Sequence, residues 1–180
     1  MRETLVFKKQ VIIGGTGGQG IMLAGIIIGE AAVYDGYHVI QCQNYGPESR
    51  GGASRSDIII SDSEIYYPKV QKADIFVSLS QEAFNRYLKY SDASSIIIVD
   101  KSIDVGNVAG CKSYGMIEYA YKVLNRPMTI NMIAIGIMNS LTGILSQEGI
   151  RKAIEKNVPP NTFDVNYSAY NAGYSLLKSL

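Results

Sequence analysis

The residues best suited to chemistry in this chain form a glycine-rich segment, Gly-Thr-Gly-Gly-Gln-Gly at positions 15–20. It follows the apolar run 11–13 and opens a second one, 21–33, which predicts a turn joining a strand to a helix. Glycine permits close backbone approach, and a helix N-terminus offers free N–H groups and a positive dipole end. Such a turn can receive a phosphate group or a partner chain.

The same glycine spacing occurs in dinucleotide-binding folds, but a second part of that fingerprint is missing here. The fingerprint requires an acidic residue about 20 positions later, at the end of the second strand, to hold the ribose hydroxyls. The predicted second strand, 38–43, ends in Gln43 and continues into Asn44 and Tyr45, so it carries amides where the acidic residue should be. NAD binding is therefore disfavoured.

A polar loop at residues 44–52 is the second informative feature, because it lies between two apolar strands. Ligands in open α/β sheets gather at the carboxyl edge of the strands, where we expect this loop to meet the glycine turn. Arg50 and Arg55 could each bind a phosphate or carboxylate, and Tyr45 could stack on a planar group. The alternative is a structural loop in which Arg50 pairs with Glu48 or with a neighbouring subunit.

The elements that must position these residues alternate between β-branched apolar runs and helical segments. This order predicts an α/β, Rossmann-like fold, with a mainly parallel sheet, helices on both faces and a short antiparallel hairpin. We expect the hairpin to join strand 56–61 to residues 64–67, and residues 1–180 to form a single domain. The other strands are predicted at 10–14, 38–43, 74–79, 95–100 and 111–114, and the helices at 20–35, 81–90, 116–124, 129–141, 146–156 and 161–180.

Composition narrows the classes of partner and chemistry. Charged residues make up 18% of the chain and the net charge is +1, so we expect neither nucleic acid nor a membrane surface as partner. The N-terminal residues lack the pattern of a signal peptide, which predicts a cytoplasmic protein. Two distant cysteines and the lone His38 give no metal-ligand spacing or catalytic pairing, so we predict no metal and no catalytic residue in this chain.

Several motifs together resemble one family, the gamma subunits of 2-oxoacid:ferredoxin oxidoreductases. The likeness spans nearly the whole chain, and the loop Tyr-Gly-Pro-Glu-Ser-Arg-Gly-Gly at 45–52 is its most specific part. This loop is similar to the 2-oxoglutarate branch of the family. Further matching motifs are Gly-Thr-Gly-Gly-Gln-Gly at 15–20, Ile60-Ser61-Asp62, Tyr67-Pro68, Ser80-Gln81-Glu82-Ala83, Asn131-Met132 and Leu141-Thr142-Gly143.

The resemblance implies one subunit of an enzyme that converts a 2-oxoacid and coenzyme A to acyl-CoA and CO₂ while reducing ferredoxin. It implies that thiamine diphosphate, Mg²⁺ and iron–sulfur clusters are held by companion alpha and beta chains, with a small ferredoxin-like chain in some complexes. It also implies that this chain binds no cofactor firmly and is inactive alone. We expect an interface or coenzyme A channel formed by Gly17, Gly18, Gln19, Gly20, Tyr45, Glu48 and Arg50.

A second function stays open from the residues alone. A free-standing Rossmann-like protein that binds a nucleotide, as a reductase or a regulator, would use the same glycine turn. Binding of NAD or FAD by the purified chain would favour that reading. A homodimer of the isolated chain would not, because a subunit without its partners can pair its own apolar faces.

Overall fold

Six strands form one sheet at the centre of the structure, a computed structural model that describes residues 7–45 and 52–176, with the backbone alone described for Tyr45. The strands are β1 (Lys8–Gly15), β2 (His38–Tyr45), β3 (Ser54–Ser61), β4 (Ile75–Ser78), β5 (Ile96–Asp100) and β6 (Lys112–Tyr114). The helices are α1 (Ile21–Tyr34), α2 (Gln81–Tyr87), α3 (Met116–Glu118), α4 (Ile130–Thr142), α5 (Gln147–Asn157) and α6 (Phe163–Ser175). Across the sheet the strands follow the order β2-β3-β1-β4-β5-β6.

Only β3 opposes the common direction of the described strands. β4 pairs in parallel with both β1 and β5, and β6 pairs in parallel with β5. β3 is antiparallel to β1 on one side and to β2 on the other, so β2 points the same way as β1. The α/β fold with a mainly parallel sheet is confirmed.

The predicted position of the hairpin is wrong, although the sheet does contain one. β2 and β3 form it, and Tyr45 pairs with Ser54 at its closed end. Residues 64–67 form no strand. The Asp62-Ser63 pair resembles a turn in sequence, but strand pairing depends on long-range register, and the chain between Tyr45 and Ser54 is the actual hairpin connection.

Two apolar layers cover the sheet because side chains alternate along each strand. Ile13 of β1 and Ile58 of β3 face the layer that contains α1, α4, α5 and α6. Ile12 and Ile59, one residue away in each strand, face the layer that contains α2. Helices therefore pack on both faces, as the fold prediction requires.

α4 and α6 pack so closely that their backbones are nearly in contact. A Cβ atom added to Gly173 would lie 2.1 Å from the carbonyl oxygen of Ile133, and one added to Gly136 would lie 2.1 Å from that of Tyr170. Beside this crossing, the buried Tyr170 hydroxyl accepts a hydrogen bond of 3.0 Å from Asn139 Nδ2. Burial raises the pKa of Tyr170 to about 12. The close packing of α4 against α6, which brings Asn139 and Tyr170 together, therefore depends on glycine at positions 136 and 173.

The helix boundaries follow local signals with one exception. Gly143, with φ of 61°, ends α4, and the Ser146 hydroxyl accepts a 2.8 Å hydrogen bond from the Gly149 N–H at the start of α5. The predicted helix 116–124 is the exception, because α3 is short and continues as a π turn over Tyr119–Val123. No helix within the described residues is long and apolar enough to span a bilayer.

Candidate functional site

The glycine turn lies between β1 and α1, as the sequence predicts, and its own side chain Gln19 holds it closed. The Thr16 N–H donates to Gln19 Oε1 at 2.8 Å. On the other side of the same amide, Gln19 Nε2 donates to the carbonyl oxygen of Leu79 at 2.9 Å, just beyond the end of β4. The turn is thus fixed to a neighbouring strand of the sheet.

A second contact fixes the end of the turn to α4. Asn131 Nδ2 donates to the Gly20 carbonyl oxygen at 3.2 Å, across 111 positions of sequence. Gly20 has a φ of 69°, and a Cβ there would lie 2.5 Å from Asn131 Nδ2. Glycine at this position is required both by the left-handed backbone and by the lack of space.

Gly17 and Gly18 differ from Gly20 because both are exposed and no described atom would approach a Cβ at either position within 4 Å. Gly18 has a φ of 87°, which favours glycine, but no positive φ occurs at Gly17. Packing within the described chain therefore gives no reason for glycine at 17. A small residue there leaves the backbone accessible to a molecule outside this chain.

A groove of about 310 Å³ opens directly beside these two glycines. Its far wall includes Tyr121 and Met128, which are 60% and 73% exposed although both are large and apolar. The near wall is the backbone of the turn, next to the N-terminus of α1, which has no side-chain cap and no acidic residue in its first turn. The groove thus combines exposed backbone with an apolar wall, and it lies next to a positive helix end.

The polar loop begins and ends at the same edge of the sheet as the glycine turn, as predicted. Gly15 pairs with Ser54, and Ser54 pairs with Tyr45 on its other side. Two strand spacings separate Gly15 from Tyr45, or about 10 Å. Glu48 and Arg50, two of the predicted site residues, lie outside the described residues.

Arg55 lies at this edge too, but it is on the opposite face of the sheet from the groove, together with Ala53 and Ile59. Its Nη2 atom donates to Asp57 Oδ2 at 2.9 Å, and the residue is only 9% exposed. Burial raises the pKa of Asp57, and the positive charge of Arg55 opposes that rise.

The described residues at this edge of the sheet include no cluster of metal-binding side chains. Within residues 7–45 and 52–176, no three His, Cys, Asp or Glu side chains are grouped as metal ligands would be. His38 is exposed and pairs with Ser61, at the opposite edge of the sheet from the glycine turn. Sequence reasoning missed the groove wall of Tyr121 and Met128. The available signal was Pro127, which separates the predicted helices 116–124 and 129–141 and also lines the groove.

Comparison with known proteins identifies relatives along nearly the whole chain. The family model described as pyruvate ferredoxin/flavodoxin oxidoreductase matches residues 10–176. A 2-oxoglutarate synthase subunit KorC from Methanothermobacter marburgensis is 39% identical over 180 residues, which cover 94% of this chain and 97% of that protein.

Solved structures show the same fold. A keto/oxoacid ferredoxin oxidoreductase gamma subunit from Geobacter sulfurreducens has a TM-score of 0.84 at 34% identity, covering 94% of this chain and 95% of that one. A 2-oxoglutarate:ferredoxin oxidoreductase from Magnetococcus marinus, solved with 2-oxoglutarate, coenzyme A and succinyl-CoA bound, has a TM-score of 0.83 at 20% identity. The match covers 96% of this chain and 31% of the Magnetococcus chain, and it supports the fold alone.

Proposed function

This chain belongs to the pyruvate ferredoxin/flavodoxin oxidoreductase family, and on that premise we propose that it is the gamma subunit of a 2-oxoglutarate:ferredoxin oxidoreductase. Such an enzyme oxidatively decarboxylates a 2-oxoacid, transfers the acyl group to coenzyme A and passes two electrons to ferredoxin. The match to a 2-oxoglutarate synthase subunit over nearly the full length of both chains supports this branch. It also disfavours a free-standing nucleotide-binding reductase or regulator.

We assign the reacting groups of this enzyme to companion alpha and beta chains in the cytoplasm. The reaction requires thiamine diphosphate with Mg²⁺ to cleave the 2-oxoacid, and iron–sulfur clusters to carry the electrons. The chain has two cysteines, both free thiols, whereas a cluster is held by about four thiolates. Its 180 residues act in this proposal as one domain that completes the assembly.

The glycine turn is the part of this domain that meets coenzyme A or the companion chains. The observation that carries this assignment is Gly17, whose exposed backbone adjoins the groove although no described neighbour requires a glycine there. The uncapped N-terminus of α1 suits a phosphate of coenzyme A, and the apolar wall at Tyr121 and Met128 suits its pantetheine arm or a partner's apolar side chains.

Substituting Gly17 tests this role within the assembled enzyme. Gly17→Ala adds one methyl group in open space without a positive φ, so the chain should fold as before. We expect the KM for coenzyme A to rise about threefold to tenfold, which corresponds to about 0.7–1.4 kcal/mol of lost binding. The KM for 2-oxoglutarate should stay unchanged. Gly29→Ala is the matched control, because it adds the same methyl group inside α1, away from the groove.

Three outcomes of this experiment separate the roles. A selective rise in the coenzyme A KM supports a channel, and dissociation of the complex on gel filtration supports an interface. If both KM values and the assembly match those of the Gly29→Ala enzyme, the turn has neither role.

Purification from the native host without oxygen tests the function as a whole. A tagged chain should co-elute with chains that carry thiamine diphosphate and iron, and the complex should reduce ferredoxin only with both coenzyme A and 2-oxoglutarate. Activity with pyruvate and none with 2-oxoglutarate would contradict the branch. A chain that elutes alone with a bound nucleotide would contradict the subunit role.

A further inference from the structure

A second cavity, of about 230 Å³, lies on the α2 face of the sheet, on the other side from the glycine groove. We call it the Arg55 cavity. Its walls carry three cationic side chains, Arg55, Arg86 and Lys89, and the amide of Asn44. The rings of Tyr87 and Tyr90 complete it. The residues that form it are thus distinct from those of the proposed coenzyme A channel.

Arg55 is held rigidly inside this cavity. Its guanidinium lies 4.1 Å from the centre of the Tyr90 ring and 5.1 Å from that of Tyr87, while its Nη2 atom bonds to Asp57. The Nε and Nη1 atoms are buried, and neither has a hydrogen-bond partner in the described part of the chain. Buried donors without partners are rare in folded proteins, so these two indicate a missing acceptor.

The charges around Arg55 favour a bound anion. Asp57 offers the only carboxylate in contact with Arg55 among the described residues. Its Oδ2 atom accepts from both Arg55 and Asn44, and its Oδ1 atom is buried without a hydrogen-bond partner among them. The Lys89 ammonium adds a second positive charge and lies 5.5 Å from the centre of the Tyr90 ring, the same ring that stacks on Arg55. A fixed guanidinium with a nearby ammonium suits a phosphate group.

We propose that the Arg55 cavity binds a phosphate group. Its volume suits one such group rather than a whole nucleotide, because pockets that enclose drug-sized ligands measure about 300–1,000 Å³. The phosphate is either a free inorganic ion or the terminal phosphate of a larger ligand that extends into solvent. The first source is independent of the proposed function, and the second rests on it if the ligand is coenzyme A.

Calorimetric titration of inorganic phosphate into the purified full chain, at constant ionic strength, tests this site. We expect saturable binding of one phosphate per chain. Lys89→Gln should weaken it about twofold to fivefold, because one exposed charge contributes about 1 kcal/mol or less, and 1 kcal/mol corresponds to a factor of roughly five. Lys69→Gln is the matched control, since Lys69 is also exposed but is not part of the cavity.

A second variant addresses the buried residue. Arg55→Lys keeps the charge but loses the planar fork and its stacking on Tyr90, so phosphate binding should weaken at least about tenfold. Circular dichroism shows whether this variant folds. If it does not, the comparison of Lys89→Gln with Lys69→Gln tests the site. Absence of saturable binding to the wild type, or equal effects of the two lysine variants, would overturn the proposal.

Competition identifies the source of the phosphate. If adenosine 3′,5′-bisphosphate displaces inorganic phosphate from the wild type and binds at least as tightly as inorganic phosphate, the site takes a nucleotide phosphate. If the nucleotide does not displace inorganic phosphate, the site takes the free ion. A negative result with Gly17→Ala would not change the outcome of these phosphate titrations. The role of the glycine turn and the phosphate site can therefore be refuted independently.

Discussion

The close crossing of α4 and α6 makes a quantitative prediction about Gly173. Gly173→Ala places a methyl carbon 2.1 Å from the Ile133 carbonyl oxygen, and this distance must grow to at least 3.0 Å. Because the obstacle is backbone, the two helices have to move apart. Overpacking of this kind lowers the free energy of unfolding by about 3 kcal/mol at the upper end of its usual range. The higher helix propensity of alanine offsets about 1 kcal/mol of this loss.

We therefore expect a net loss of about 2 kcal/mol in the free energy of unfolding. For a chain of this size that lowers Tm by about 4–8 °C, which thermal unfolding followed by circular dichroism can measure. Gly29→Ala serves as the control, since its methyl group would lie an ordinary 3.4 Å from Val39 Cγ1. That variant should gain up to about 1 kcal/mol. Equal Tm values for the two alanine variants would refute the reasoning.

Two further predictions concern Tyr170 and Ser146. Burial raises the pKa of Tyr170 from 10.0 to about 12, so between these values the unfolded chain releases a proton that the folded chain keeps. The stability advantage of the wild type over Tyr170→Phe should accordingly fall as pH rises from 10 to 12 in urea unfolding experiments, and a constant difference would contradict the assignment. Ser146→Ala removes the cap of α5 and should lower the free energy of unfolding by about 1 kcal/mol, as measured by urea unfolding. Ser168→Ala is the control, because Ser168 is exposed within α6 and its loss should not lower stability. Equal losses of stability in the two variants would argue against a capping role.

The sequence predicts well those parts of the fold that depend on local pattern. The continuous apolar runs of β1, β4 and β5 indicate strands buried on both faces, and Ser146 and Gly143 mark helix ends through their own chemistry. The direction of β3 was not predictable in this way, because it depends on pairing with β1 and β2 at a distance. The turn-like Asp62-Ser63 pair gave a competing local signal.

The same division applies to the candidate site. The glycine turn is visible in the sequence because its glycines are contiguous and lie between two apolar runs. Asn131, which fixes Gly20 from 111 positions away, gave no local signal of that contact. The stacking of Arg55 between two tyrosines was equally hidden, because Tyr87 and Tyr90 belong to a helical segment whose rotation against the sheet is set by tertiary packing.

The reversed direction of β3 has a consequence for how this protein can diverge. Both ends of the loop between β2 and β3 are fixed by a hairpin, so the loop can change its residues, and even its length, without altering the strands that carry it. Doubling the length of a flexible loop costs only about 0.6 kcal/mol of closure entropy. Exchanging this one segment between relatives is therefore a practical route to altering recognition at this edge of the sheet while retaining the core.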